Sequence, residues 1–159
     1  MGIGEIVTSK DPDDVLVAYG LGSCVAVCLY DRQASTGGML HALLPAAPDS
    51  VDPQSTASKF ARQGIPLLID AVVRLGANRS RLVVQLFGGA HMLSAPGFKN
   101  SLNIGERNVE TAKDVLKAAG LQIRAEATGG QIGRTVRLHI ADGKVIIKAR
   151  GQEEKIIDR

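Results

Sequence analysis

The chain has 159 residues, 45% hydrophobic and 22% charged; this ordinary globular balance predicts one domain over residues 1–159 and gives no support to disordered, collagen-like or solenoid organisation. Nineteen basic against sixteen acidic side chains leave a net charge of only +3, and three Phe, two Tyr and no Trp offer few rings for bases to stack on, so nucleic acid is excluded as the expected partner. No apolar run approaches the roughly 20 residues of a bilayer span, and the opening MGIGEIVTSKDPDD has neither a signal peptide's apolar core nor the Ser or Thr that N-myristoylation needs at Ile6, so a cytoplasmic protein without membrane insertion is expected.

Residues 15–30 read VLVAYGLGSCVAVCLY, apolar on both parities, which predicts a strand covered on both faces and bent at Gly20 and Gly22. Cys24 falls just after the bend. Residues 31–38 are turn-like, and MLHALL over 39–44 predicts a second two-sided strand ending at Pro45, with His41 at its middle. Residues 46–59 turn to Pro, Asp, Ser and Thr, a surface loop long enough to serve as a lid. Helical spacing of Ile65, Leu68, Ile69, Val72 and Leu75 predicts a helix over 61–75, stopped by Gly76, with Pro66 tolerated in the first turn. RLVVQLF over 81–87 is a buried strand broken by Gly88 and Gly89. Asn103 as N-cap with Glu106 three residues on, then Ile104, Val109, Ala112 and Leu116, predicts a second helix ending at Gly120. A strand follows over 121–127, broken at Thr128, Gly129 and Gly130, and residues 135–141 and 144–150 flank Asp142-Gly143 as a hairpin. This β β α β α β β β order argues for an α/β fold with mixed sheets; there is no internal repeat.

Two motifs invite readings that the spacing rejects. GLGSCV at 20–25 begins like a dinucleotide fingerprint, but Val25 stands where the third glycine belongs and strand rather than helix follows. Cys24 and Cys28 with His41, His91 and His139 suggest a metal site, yet strand positions four apart lie about 13 Å from each other, too far to share one zinc or a disulfide. No metal or cofactor is expected, and Cys28 reads as a small buried hydrophobe.

Cys24 differs because a bend at glycines leaves the amides of Ser23 and Cys24 free to face a substrate oxygen. A cysteine nucleophile needs a base within hydrogen-bond reach, and His41 on the adjoining strand is the nearest in sequence; a buried core histidine is the other reading. An imidazolium there would lower the thiol pKa below its free value of about 8.5.

GLGSCVAVCLYD followed by GGMLHALLP, with the histidine seventeen residues after the cysteine, closely resembles the CheD family of chemoreceptor glutamine deamidases. The resemblance continues through Lys59-Phe60-Ala61, Gly88-Gly89-Ala90, Asn103-Ile104-Gly105 with Arg107-Asn108, and Thr128-Gly129-Gly130 to Gly133-Arg134, in order along nearly the whole chain. It implies an α/β mixed-sheet sandwich core flanked by helices, a cysteine hydrolase fold shared with a class of bacterial toxin deamidases. It implies Cys24 as nucleophile and His41 as base, with Gly22, Ser23, Gly88, Gly89, Thr128 and Gly129 around the oxyanion and substrate. Family members usually carry a threonine in the stretch that here reads Val17-Ala18-Tyr19; this chain has Ala18, whose backbone carbonyl is then the group expected to accept the His41 ring N–H.

The implied reaction is acyl transfer from a receptor glutamine through a thioester to glutamate, with ammonia released, and glutamate methyl esters are open to the same machinery. Implied partners are cytoplasmic helices of chemoreceptors and the phosphatase CheC, with the enzyme itself a monomer. Two rivals stand beside this: a non-catalytic module that docks on receptors or CheC, which Ala18 favours, and a cysteine amidase of small molecules.

Overall fold

The computed structural model describes residues 1–50, 52, 56–92 and 103–157. Its strands are β1 (Ile6–Ser9), β2 (Val15–Leu21), β3 (Val25–Asp31), β4 (Thr36–Ala42), β5 (Val83–Gly88), β6 (Ile123–Thr128), β7 (Arg134–His139), β8 (Val145–Ala149) and β9 (Lys155–Ile157), with helices α1 (Ala61–Arg74) and α2 (Ile104–Ala118). A five-stranded sheet has the order β1-β4-β3-β5-β6, antiparallel except for the parallel β5–β6 pair, and a four-stranded sheet has the order β2-β7-β8-β9, all antiparallel. The fold is thus α/β, as expected.

Every residue of β3 and β4 is buried, because the five-stranded sheet is covered on both sides and its side chains alternate between two cores. Val25, Val27 and Leu29 pack with Ile65, Leu68 and Val72 of α1 and Ala112 and Leu116 of α2. Ala26 and Cys28, on the other parity, pack with Leu16, Ala18 and Leu21 of β2 and with Val136, Leu138, Val145 and Ile147 of the second sheet. Each large side chain so buried contributes about 1.5–3 kcal/mol. The layers are therefore helices, five-stranded sheet, four-stranded sheet. The two helices pack outside on the five-stranded sheet, and the four-stranded sheet leaves Val15, Tyr19 and Ile156 exposed.

Most elements lie within a few residues of their expected places. Asn103 caps α2 as predicted, its side chain accepting from the Glu106 N–H at 3.3 Å, and Gly143 turns the β7–β8 hairpin at φ +73°. The segment 15–30 is the exception. It is not one bent strand but two, β2 and β3, in different sheets, so the Gly20–Gly22 bend is where the chain crosses between layers. β1 and β9, four and three residues long, were not anticipated. Pro66 lies inside α1 rather than in its first turn; it is exposed, so the Arg62 carbonyl that it leaves without a donor is at the surface. Of the loop 46–59, residues 57–59 form a 3-10 turn; positions 51 and 53–55 of this expected lid lie outside the described residues. No helix among the described residues is long and apolar enough to cross a membrane.

Asp31 ties the far end of β3 to the segment before β5. It is fully buried and accepts from Arg81 at 2.6 and 3.0 Å, from the Asn78 N–H at 2.7 Å and from the amides of Gln33 and Ala34. Burial alone would raise its pKa, but these donors together outweigh it and hold the carboxyl at about 2. A depressed carboxyl stabilises the fold above the unfolded value of about 3.9 and loses that contribution as pH falls toward the folded value. Asp31→Asn is therefore expected to lower the urea midpoint at pH 7, with the gap to the parent narrowing between about pH 4 and 2; a gap unchanged over that range would exclude Asp31 as its source.

Candidate active site

The site is built on the crossing between β2 and β3. Three successive carbonyls there are each held by a donor from elsewhere in the fold: Gly22 by the Ala90 N–H at 2.8 Å, Ser23 by Asn108 Nδ2 at 2.8 Å, and Cys24 by the Gly89 N–H at 2.8 Å. Among the described residues no peptide bond is cis, and in a trans peptide the N–H points opposite to the carbonyl it is bonded to. Fixing the carbonyls of Gly22 and Ser23 therefore turns the N–H groups of Ser23 and Cys24 away from those partners. Among the described residues neither takes part in a hydrogen bond to another residue, and the Cys24 N–H lies against its own sulfur.

Glycines make this close approach possible. A Cβ on Gly88 would lie 2.2 Å from the Cys24 carbonyl oxygen, and one on Gly105, in the first turn of α2, would lie 2.5 Å from the Ala90 oxygen. Gly88 and Gly89 also have φ of +99° and +65°, where other residues are strained. Their role is thus to admit backbone against backbone. The Gly89 N–H is spent on Cys24 and the Gly129 N–H on the Gly88 carbonyl at 3.0 Å, so neither donates to an oxyanion as expected. Thr128 closes the β5–β6 pairing opposite Gly88, and Gly22 makes room for the side chain of Met92, whose Cγ stands 3.1 Å from where a Cβ would be.

His41 stands directly opposite Ala26 in the β3–β4 register, so it faces the inter-sheet core that holds Cys24. The β3–β4 ladder ends at the Val25–Ala42 pair, so Cys24 comes one residue before this last rung on one strand and His41 one residue before it on the other. The strand position of His41 is secured by its N–H donating to Glu5 and its carbonyl accepting from Gly4. Both ring nitrogens are buried and, among the described residues, without a partner. The Ala18 carbonyl expected to orient the ring therefore does not accept from it here; Ala18 is a fully buried core residue of β2. Buried polar atoms without partners are rare and concentrate where a group is held ready for something else.

The electrostatics also differ from expectation. Burial pushes the Cys24 thiol up, opposed by its own N–H, and the effect on the fully buried Cys28 is larger, from burial alone. Burial and then the N-terminal amine push His41 down, opposed by Glu5. Both shifts favour the uncharged forms, against the thiolate expected beside an imidazolium, because a water-poor inter-sheet core disfavours either charge.

Asn108 was quoted in the sequence pattern but given no role. It is fully buried, and Nδ2 donates to the Ser23 carbonyl at 2.8 Å and to the Leu43 carbonyl at 3.0 Å, while Oδ1 is buried and, among the described residues, without a partner. The available signal was its place in the buried stripe of α2 with Gly105, Ala112 and Leu116, where an amide is out of keeping.

A family model described as CheD chemotactic sensory transduction matches residues 43–149. A "Probable chemoreceptor glutamine deamidase CheD" of Caldanaerobacter subterraneus subsp. tengcongensis is 41% identical over 157 residues, 99% of this chain and 96% of its own. The chain belongs to the CheD family. Proteins of the same name from Pyrococcus abyssi, 45% identical over 91% of this chain and 87% of theirs, and from Pyrococcus horikoshii, 41% identical over 100% and 96%, agree. Cys24 and His41 precede the residues matched by the CheD family model, and the full-length similarity to the P. horikoshii relative spans them.

The burial difference predicts that an alkylating reagent modifies Cys24 in the folded protein and Cys28 only after unfolding. Because the Cys24 thiol is raised, its labelling rate is expected to climb still beyond pH 8.5 rather than level off near neutrality. Peptide mapping across pH tests both points; labelling of Cys28 in the folded state would contradict the assignment.

Proposed function

We propose that this CheD chain deamidates glutamine side chains of chemoreceptors, with Cys24 as nucleophile and His41 as base in a cysteine hydrolase fold occupying the chain as one domain. The observation that carries the reading is the captured bend: three tied carbonyls leave the Ser23 and Cys24 amides, beside the thiol, free for a developing oxyanion, with His41 on the same sheet face. The relatives' name supplies the substrate class.

With both groups neutral, proton transfer accompanies attack. The Cys24 sulfur forms a bond to the carboxamide carbon while His41 takes the thiol proton, and the oxyanion is held by the Ser23 and Cys24 N–H groups. Collapse breaks the C–N bond, and the imidazolium gives its proton to the departing nitrogen, releasing ammonia. Water, deprotonated by His41, then cleaves the thioester to glutamate and the free thiol. A glutamate methyl ester enters the same sequence with methanol as leaving group. Each turnover places a new carboxylate on a receptor helix and changes its repulsion with neighbouring carboxylates. Met92, half exposed and packed over Gly22, gives the site an apolar edge suited to such a helix, and to CheC if CheC docks there.

Cys24→Ala is expected to abolish conversion of glutamine to glutamate in a receptor fragment followed by mass spectrometry, and His41→Ala to slow it by about 10²–10⁴; full turnover in Cys24→Ala would move the nucleophile to another residue, and an inactive parent protein would favour the binding-module reading. The lowered His41 pKa predicts an acid limb of kcat/KM below about pH 6.5, since the neutral ring is the working form. A limb above pH 7 would contradict it.

The unpartnered ring makes Ala18 informative. If the family's hydroxyl orients the base, Ala18→Thr is expected to raise the initial rate more than tenfold, up to the roughly 10⁴ associated with a lost orienting group. Introducing a branched polar side chain at a fully buried site can cost about 1–3 kcal/mol, so rates are compared on protein whose circular dichroism matches the parent. A change below tenfold would mean that a hydroxyl at this position orients nothing.

A further inference from the structure

We infer that Asn108 is a positioning residue that sets the separation between the nucleophile and the base. One side-chain amide joins the two segments that carry them: Nδ2 donates to Ser23, the residue before Cys24, and to Leu43, two residues after His41. No other described side chain donates to both. The orientation of the amide is fixed chemically, because Oδ1 in place of Nδ2 would face two carbonyl oxygens with no proton between them. Two N–H bonds diverging by about 120° at these lengths hold the two carbonyl oxygens about 5 Å apart.

Each end of this tether is itself anchored. The peptide that carries the Leu43 carbonyl is held from its other side as well, the Leu44 N–H donating to the Lys59 carbonyl at 3.1 Å. Asn108 is one turn into α2, whose start is seated by Gly105 against the Gly89 and Ala90 backbone, the same backbone that holds Gly22 and Cys24. A shift of Asn108 would therefore move the Cys24 bend relative to the end of β4 while leaving the strand pairings intact. A misplacement of about 1 Å in such a constellation costs up to about 10²-fold in rate.

The inference rests on the proposed Cys24–His41 pair, and the test separates the two. Asn108→Asp keeps the shape but offers no donor, Asn108→Ser keeps one, and each is assayed on a receptor fragment alone and combined with His41→Ala. The expected result is a fall in kcat of about 10- to 100-fold for Asn108→Asp and a smaller one for Asn108→Ser, with KM within about threefold. Combined with His41→Ala, Asn108→Asp is expected to cause no further loss, since alignment to an absent base has nothing to give. Parental kcat in Asn108→Asp, or losses that multiply in the double variant, would overturn the positioning role, whereas turnover in Cys24→Ala would overturn the pair beneath it. Should Asn108→Asp not fold, hydrogen exchange of the Asn108 side-chain amide in the parent protein decides: slow exchange supports the tether, and exchange at the rate of a free amide overturns it.

Discussion

The structure depends on a short stretch of backbone that has to be in two sheets at once. β2 belongs to the four-stranded sheet and β3 to the five-stranded one, with only Gly22, Ser23 and Cys24 between them. A crossing this tight at the end of two buried layers strands three carbonyls in a water-poor place, where each unpaired group costs about 1–3 kcal/mol. The fold meets that demand with donors from the end of β5 and from α2. Gly88, Gly89 and Gly105 lack side chains because any Cβ would occupy the space through which those backbones meet. The same geometry leaves the N–H groups of Ser23 and Cys24 without a bond to another described residue, so a packing solution and a chemical opportunity are one arrangement.

Burial then governs the reactive groups. A thiol and an imidazole set between two sheets are both driven toward their neutral forms. In the mechanism we propose, attack then depends on a base already in line, so alignment is the controlling variable, and the ring nitrogens of His41, unpartnered among the described residues, and the amide bridge of Asn108 bear on it.

Much of this was legible in the residues. The helices followed from their apolar spacing and from the Asn103 and Glu106 cap, the hairpin from Asp142-Gly143, and the place of His41 on the strand beside β3 from the second apolar run. The sheet switch was not, because a strand covered on both faces reads the same whether it continues in its sheet or leaves it: VLVAYGL and VAVCLYD are equally apolar on both parities. β1 and β9 are too short for a period to register. The spent amides of Gly89 and Gly129, and the link from α2 to two distant carbonyls, are tertiary facts; sequence offered only the oddity of an asparagine among Gly105, Ala112 and Leu116. The upward shift of the Cys24 thiol was not legible either, because the expected lowering rested on an imidazolium at His41, and burial between the sheets disfavours that charge as well.

The most direct test of the account is to catch the acyl-enzyme. Acid quenching of the protein during turnover of a glutamine-containing receptor peptide, followed by mass spectrometry of its proteolytic fragments, reads the covalent state of each cysteine. The account predicts a thioester on the fragment containing Cys24 whose mass is that of the peptide less ammonia, vanishing when the substrate is exhausted. Turnover with the adduct on another residue, or with Cys24 unmodified under conditions that stabilise thioesters, would contradict it.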